Sequence, residues 1–153
     1  MAESSFPYLR ERAYVAATLT HFAVDVLNSS RTLIVALLAI SLGLSNTQVG
    51  VALIVYNLGS AVAQPLFGWL ADRYGPRWII IGGMGWMIVF FTLGAIAGDW
   101  LALIAVSIAG LGSGAVHPAG AKVASQTKDS VRNQATALFF TTGHFGLFIG
   151  PVA

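Results

Sequence analysis

Residues 68–77 read GWLADRYGPR, a charged segment that separates two long apolar stretches of the chain. Asp72, Arg73 and Arg77 interrupt the apolar sequence, and Gly75 followed by Pro76 favours a short turn. An apolar stretch of about 20 residues is long enough to cross a bilayer as a helix. The segment therefore predicts a tight connection between two membrane-spanning helices.

The composition supports a membrane protein. Of the 153 residues, 56% are hydrophobic and 9% are charged, against roughly 25% charged in ordinary soluble domains. A soluble core could not bury so much apolar surface in a chain of this length. The net charge of +2 is too small to suggest a nucleic-acid partner. Because the chain has no cysteine, disulfides and thiolate metal sites are excluded.

The spacing of polar segments predicts an all-α fold, a polytopic transmembrane bundle of about five helices. We expect these over residues 14–44, 46–71, 78–97, 100–125 and 131–153, after a frayed N-terminal tail of residues 1–12. Ser45 to Gln48 supply N-cap chemistry for the second helix, and Gly98-Asp99 forms a tight turn before the fourth. No internal repeat is visible. We expect the chain to be incomplete and unable to transport alone.

The basic residues indicate an orientation. Seven of the eight lie at one set of alternating helix ends: Arg10, Arg12, Arg73, Arg77, Lys122, Lys128 and Arg132. By the positive-inside rule the tail of residues 1–12 and these loops are cytoplasmic. We therefore expect an integral protein of the bacterial inner membrane. A signal peptide over residues 10–41 is disfavoured by its length and by the charges of Asp25 and Arg31 within it.

One face of the predicted first helix is polar. Asp25 lies about 16 Å along that helix from Tyr14, near the bilayer midplane, where an ionisable group usually faces protein or water. Asp25 could be a proton-coupling carboxyl with His21 as its relay or orienting partner. Alternatively, the two residues form only an i,i+4 hydrogen bond that packs helices. The polar face comprises Thr18, His21, Asp25, Asn28, Ser29 and Thr32.

Other helices carry candidates for a substrate cavity. Asn57, Ser60 and Gln64 share a face of the second helix, although such residues also serve only to hold helices together. In the fourth helix Pro118 frees a backbone carbonyl, and His117 could bind substrate or cap that carbonyl. The predicted cavity residues are Asn28, Arg31, Asn57, Gln64, His117 and His144.

The remaining features predict packing rather than chemistry. The third helix has Thr92 as its only polar side chain and is expected to face lipid. Glycines in the third and fourth helices favour close packing, and Lys122 is expected to extend to the cytoplasmic interface. We see no nucleophile–base spacing and no metal-ligand cluster, so no enzyme activity, cofactor or metal is expected.

Several motifs resemble the major facilitator superfamily. Residues 68–77 are similar to its signature G-x-x-x-D-R-x-G-[RK]-[RK], which joins the second and third helices, and depart from it at Pro76. His21 and Asp25, the dipeptide Gln64-Pro65, GLGSGAVHPAGAKVA at 110–124 and GHFGLFIGP at 143–151 resemble the fosmidomycin-resistance branch. The signature residues present are Gly68, Asp72, Arg73, Gly75 and Arg77.

The resemblance implies an N-terminal fragment of a twelve-helix exporter that works by alternating access. Helices one, two, four and five would line its cavity, with helix three outside. The signature would form a conformational latch, with Asp72 at the N-terminus of a helix in the other half. Two departures are Ala119, where the branch often has an acidic residue, and Val106, where many exporters have an arginine.

The favoured function is therefore a secondary antiporter that couples proton entry to efflux of small drug-like or anionic compounds. Its partners would be the lipid bilayer, a small-molecule substrate, protons and the C-terminal part of the same transporter. Two alternatives remain open: an uptake permease for an organic anion or sugar, and a membrane sensor that binds without transporting.

Overall fold

A computed structural model describes residues 6–152 of the chain. Those residues form helices and short connections, with no strand among them. Five of the helices are long and apolar enough to cross a membrane, which confirms the predicted all-α membrane bundle. The five long helices are α1 Arg12–Leu42, α2 Asn46–Tyr74, α3 Pro76–Ala97, α4 Trp100–Ser125 and α5 Arg132–Ile149. A short 3₁₀ helix, Pro7–Arg10, precedes them, and another, Gly150–Val152, follows α5.

Local sequence explains where the helices begin and end. Gly43 and Gly98 end α1 and α3 in the left-handed conformation, with φ of 63° and 69°. Ser45 and Gln48 form the capping box that starts α2, as the sequence predicts. The Asp99 carboxylate accepts a hydrogen bond from the Leu101 amide at 2.8 Å and caps α4.

The charged segment of residues 68–77 is mostly helical rather than a loop. We expected α2 to end near Ala71, but it continues to Tyr74, and Gly75 alone separates it from Pro76 at the start of α3. Gly75 has a φ of 89°, and its N–H donates to the Ala71 carbonyl at 3.1 Å. A proline suits the first position of a helix, and nothing between Ala71 and Tyr74 breaks one. The signature residues therefore lie on the end of α2 and the first turn of α3.

The N-terminal segment is more ordered than we expected. Tyr8 is 1% exposed and packs with Tyr14 and Phe139, so the expectation of a frayed tail is wrong for Pro7–Arg10. An aromatic ring buried against two others stabilises the turn that carries it. Residues 1–5 of the predicted tail lie outside the described residues, as does Ala153, where we expected the fifth helix to end.

The fourth helix is the centre of the bundle. In the most apolar 18-residue stretch of α4, 61% of the residues are buried, against 17–28% in the corresponding stretches of the other four helices. Gly112 contacts the backbone of Gly83 on α3, and Gly110 and Gly114 contact the α2 backbone, so the predicted close packing is observed. α2 packs beside α4, and α5 packs beside α1. Together these four helices line a space to which no described residue of α3 contributes.

Candidate proton and substrate site

An open cavity of about 890 Å³ lies between α1, α2, α4 and α5. No described residue of α3 lines it. The cavity wall includes every residue that the sequence nominates for proton coupling or substrate binding, together with Tyr56 and Ser113, which the sequence does not nominate. The nominated residues are His21, Asp25, Asn28, Arg31, Asn57, Gln64, His117 and His144.

Asp25 is held between two histidines at the wall of this cavity. His21 Nε2 lies 3.2 Å from Asp25 Oδ2, and His117 Nε2 lies 3.2 Å from Oδ1. The Asp25 and His21 side chains are 5% and 3% exposed, while His117 is 27% exposed toward the cavity. These three side chains are called the carboxylate cluster below. One nitrogen of His117 therefore faces Asp25, and its roles in substrate binding or capping stay predictions.

Backbone carbonyls orient both imidazole rings. His21 Nδ1 lies 3.0 Å from the Phe139 carbonyl oxygen on α5, and His117 Nδ1 lies 2.8 Å from that of Ser113. A carbonyl oxygen only accepts, so each Nδ1 is the donor. The His21 ring also stacks on Phe139 with centroids 4.2 Å apart. Each ring therefore has its Nε2 directed at Asp25.

Gly143 on α5 makes room for the carboxylate cluster. A Cβ atom at this position would lie 2.6 Å from His21 Nε2 and 2.7 Å from Asp25 Oδ2. Neither separation is compatible with ordinary packing. The glycine therefore lets α5 approach close enough for the Phe139 carbonyl to accept from His21.

A hydrogen-bond chain joins the carboxylate cluster to α2. Asn28 Nδ2 donates to Asp25 Oδ1 at 2.8 Å and to Ser113 Oγ at 3.2 Å. The Tyr56 hydroxyl donates to Asn28 Oδ1. Tyr56 and Ser113 were missed because a tyrosine and a serine on apolar helices are ordinary packing residues. The i,i+4 spacing of Ser113 and His117 was the signal available for Ser113.

Arg31 is the one lysine or arginine among the described residues that line the cavity. Its position on α1 is off the polar face, yet its guanidinium lies 4.1 Å from the Tyr56 ring centroid and donates to Asn57 Oδ1 at 2.8 Å. No carboxylate among the described residues pairs with it. Its Nε is buried and has no partner within the same part of the chain.

The other nominated residues lie apart from Asp25. Asn57, Gln64 and His144 are exposed to the cavity. Lys122, expected at the membrane interface, instead donates to the Ala71 carbonyl at 3.0 Å and to Asp72 Oδ1 at 2.7 Å. A cation suits the C-terminus of α2, where carbonyls lack helical partners.

The three residues of the carboxylate cluster are also of types that can bind a metal ion, and the expectation that the chain holds no metal stays a prediction. One donor atom from each of its three residues lies within 4.8 Å of the other two. Residues 92 positions apart come together here, which the spacing of residues along the chain does not reveal. Both Nε2–Oδ separations of 3.2 Å are also short enough for a shared proton without any ion.

A sequence model of the family described as Major Facilitator Superfamily matches residues 15–153. The chain belongs to the major facilitator superfamily. It is an integral membrane protein, since five of its helices are long and apolar enough to cross a membrane.

Relatives within the superfamily include drug-resistance proteins. The chain is 30% identical to the Fosmidomycin resistance protein of Escherichia coli strain K12, over 90% of this chain and 34% of that protein. It is 29% identical to the uncharacterized MFS-type transporter YfnC of Bacillus subtilis, over 86% of this chain and 32% of that protein. It is 32% identical to the Multidrug resistance protein MdtG of Salmonella typhi, over 68% of this chain and 26% of that protein. The chain thus spans about a third or less of these relatives.

Proposed function

We propose that this chain is the N-terminal part of a secondary transporter that couples proton entry to export of small drug-like or anionic compounds. The observation that carries the proposal is the burial of Asp25 between two histidines at the wall of an open cavity. A carboxyl in that position can hold a proton in one conformation and lose it in another, because its two partners lie on different helices.

The coupling follows from the cost of a buried charge. A carboxylate whose histidine contacts are broken would be an unpaired charge within the bundle, which is strongly unfavourable. A conformational change that separates α1 from α4 therefore has to be accompanied by a change in proton occupancy. A proton that enters along the membrane potential supplies about 2.3 kcal/mol per 100 mV.

Membership of the superfamily also suggests how this cavity would work within a longer transporter. The remaining helices of a longer transporter would close the cavity, and the two halves would alternate about its midplane site. The names of two relatives, fosmidomycin resistance and multidrug resistance, support efflux of drug-like compounds. Cytoplasmic placement of the N-terminus, in a bacterial inner membrane, is supported by the distribution of basic residues.

The latch role of the signature is also part of the proposal. Asp72 pairs with Lys122 in this half, yet its side chain is 71% exposed. It has room for a second partner such as the N-terminus of a helix in the other half. Arg73 and Arg77 are exposed at the same end of the bundle, where they would anchor the cytoplasmic face. Gly75 allows the close turn between α2 and α3 through its positive φ, while Gly68 lies within α2 beside Pro118 of α4.

The first test is Asp25→Asn in the full-length transporter that contains this chain. We expect acid-driven uptake of fosmidomycin into inverted membrane vesicles to fall to the level of vesicles without the protein, because Asn has the same shape but binds no proton. Asp129→Asn is the matched control, since Asp129 is an exposed acid whose side chain is 89% exposed. Proton-driven uptake that persists in Asp25→Asn would remove Asp25 from the mechanism. Wild-type vesicles that bind fosmidomycin without accumulating it would favour the sensor alternative.

A second candidate is an uptake permease for an organic anion or sugar. The guanidinium of Arg31 specifically favours it, because this group has no carboxylate partner among the described residues and a cation on the cavity wall attracts an anion. The sidedness of transport separates the two candidates. Accumulation of the anion in right-side-out vesicles with acid outside would establish uptake, whereas accumulation in inverted vesicles with acid inside would establish export.

A further inference from the structure

We propose that His21, Asp25 and His117 form a two-proton site, in which both histidine contacts to Asp25 exist only when the cluster holds two exchangeable protons. The inference deepens the proposed function and rests on it, because these would be the protons that drive transport. It comes from the roles that the surrounding backbone assigns to each ring nitrogen.

The first step concerns the two Nδ1 atoms. The carbonyls of Phe139 and Ser113 accept from His21 and His117 at 3.0 and 2.8 Å. Each Nδ1 therefore keeps its proton whenever these contacts are made. A neutral ring with a proton on Nδ1 has a lone pair on Nε2. The backbone thus leaves both Nε2 atoms as the positions where protons are exchanged.

The second step concerns what each Nε2 faces. One faces Oδ2 of Asp25 and the other faces Oδ1, each at 3.2 Å. A lone pair that faces a carboxylate oxygen is repelled, so each contact needs a proton between its two atoms. With no exchangeable proton the cluster carries a charge of −1 and neither contact is satisfied. With one proton it is neutral and one contact is satisfied.

Two protons satisfy both contacts and bring the net charge of the cluster to +1. The two protons can reside on both histidines, or on one histidine and the Asp25 carboxyl. A third proton would have no free lone pair to bind at either Nε2–Oδ contact, and it would add to a cluster whose net charge is already +1. The observed geometry, with both contacts made, therefore corresponds to two protons.

The neighbouring groups do not change this count. On α1 the Asn28 amide donates to Asp25 Oδ1, and on α2 Tyr56 donates to Asn28. Arg31 lies over the Tyr56 ring, so Tyr56 and Asn28 stand between it and Asp25 in this chain of contacts. On α4 the Ser113 hydroxyl accepts from Asn28 and lies 3.3 Å from His117 Nδ1, which is farther than the 2.8 Å between that nitrogen and the Ser113 carbonyl, so the carbonyl remains the acceptor for Nδ1. The ionisable group that α5 adds to the cavity is His144, and it makes no hydrogen bond to the cluster among the described residues; from α3 no described residue lines the cavity.

The two protons act on different contacts of Asp25, one between helices and one within α1. Asp25 and His117 join α1 to α4, whereas His21 joins its own helix to α5 through Phe139. Loss of the proton at His117 therefore removes the contact between Asp25 and α4 and leaves the α5 contact in place. Loss of the proton at His21 removes its contact with Asp25, which lies on the same helix. The site thus separates a proton that links helices from one that holds the carboxylate in position.

The test counts protons in the full-length protein in liposomes. Nitrogen-15 NMR of labelled histidine reports the protons on each ring nitrogen, with His21 and His117 assigned from the signals lost in His21→Asn and His117→Asn. The infrared carbonyl band that disappears in Asp25→Asn reports the carboxyl proton. We expect both rings to carry a proton on Nδ1 alone at alkaline pH. On acidification we expect the cluster to gain two protons in total.

Two variants of His117 and one control sharpen the count. His117→Asn can still donate to the Ser113 carbonyl but has no atom at the Nε2 position, and His117→Gln can donate to Asp25 without titrating. Each is expected to lower the count from two to one, and His144→Asn should leave it at two. If a variant fails to fold, the number of protons that the wild-type cluster gains still tests the inference.

Three results would overturn the inference. They are a proton on Nε2 with none on Nδ1 at alkaline pH, a gain of a single proton, or a stoichiometric metal ion in the purified protein. The count does not depend on transport. Two protons in a protein that couples no proton to transport would refute the proposed function alone, and proton-driven transport with one proton would refute this inference alone.

Discussion

His117 shows how one side chain acquires a role from both of its ends. Its Nδ1 donates to a carbonyl one turn earlier on the same helix, so the orientation of the ring is fixed locally. Its Nε2 then faces Asp25 on another helix. A ring held in this way loses little side-chain entropy when it binds a proton. The residue is therefore suited to respond to the position of α1 relative to α4.

Gly143 gives a prediction at the same scale. In Gly143→Ala the added methyl group would displace His21 and Asp25, so we expect unfolding to become easier by about 1–3 kcal/mol. Proton-driven transport should fall to background because the carboxylate cluster is disrupted. Thermal unfolding of the detergent-solubilised full-length protein and vesicle uptake are the measurements.

Gly85→Ala is the control for this substitution. A Cβ at Gly85 meets nothing within 4 Å, so alanine should be neutral or stabilise by up to about 1 kcal/mol. Equal thermal stability and equal transport in Gly143→Ala and Gly85→Ala would show that α5 does not press on the carboxylate cluster.

At the scale of elements, two neighbouring glycines of α3 make different contacts. A Cβ at Gly83 would lie 2.8 Å from the Gly112 carbonyl oxygen and 2.9 Å from Ala115 Cβ. A Cβ at Gly82 would meet nothing within 4 Å. The α3–α4 interface therefore depends on one glycine of the pair, which explains why a run of glycines alone does not identify the packing surface.

The pair provides a matched prediction. We expect Gly83→Ala to destabilise the full-length protein by about 1–3 kcal/mol, because backbone of α4 cannot yield as a flexible side chain would. Gly82→Ala should change stability by no more than about 1 kcal/mol. Thermal unfolding in detergent checks both. A larger loss in Gly82→Ala than in Gly83→Ala would contradict the described α3–α4 contact.

The end of α2 shows how charges are accommodated at the membrane surface. Lys122 of α4 donates to the Ala71 carbonyl and to Asp72, which ties the last turn of α2 to α4. The cation thereby neutralises an acid and satisfies a helix C-terminus at once. We had expected the side chain simply to extend to the interface, and the nearby acid on a helix that is longer than predicted explains the difference.

At the scale of the whole molecule, the bundle exposes many large apolar side chains and buries a few polar ones beside an apolar core. Large apolar residues such as Ile40, Ile96 and Phe148 are 81%, 73% and 80% exposed. The buried polar residues, which include Thr18, His21, Asp25 and Ser113, lie mostly between helices. The exposed apolar surface fits a protein surrounded by lipid, because acyl chains are as apolar as these side chains.

The proposed orientation can be tested directly, because the chain contains no cysteine. In the full-length protein freed of any other cysteines, we expect a thiol introduced as Thr47→Cys to react with a membrane-impermeant maleimide added to intact cells. A thiol introduced as Lys128→Cys should react only after the cells are opened, because positively charged loops stay in the cytoplasm. Both positions are exposed, so access of the reagent depends on sidedness. The opposite pattern would invert the topology.

The amino-acid sequence by itself determined what depends on neighbours along the chain. The five helices, the capping of α2 and α4 and the polar face of α1 follow from apolar length, turn residues and helical periodicity. The residues of the cavity wall could be nominated too, because polar groups on membrane helices avoid lipid.

Only the tertiary structure decided which of those residues meet. His117 reaches Asp25 across 92 residues, Arg31 turns onto Tyr56, and Gly143 admits the carboxylate cluster beside α5. These contacts depend on how each helix is rotated and how closely it approaches its neighbours. The rotation and approach of a helix are set by the shapes of the side chains that pack between helices, and the periodicity of one helix carries no information about them.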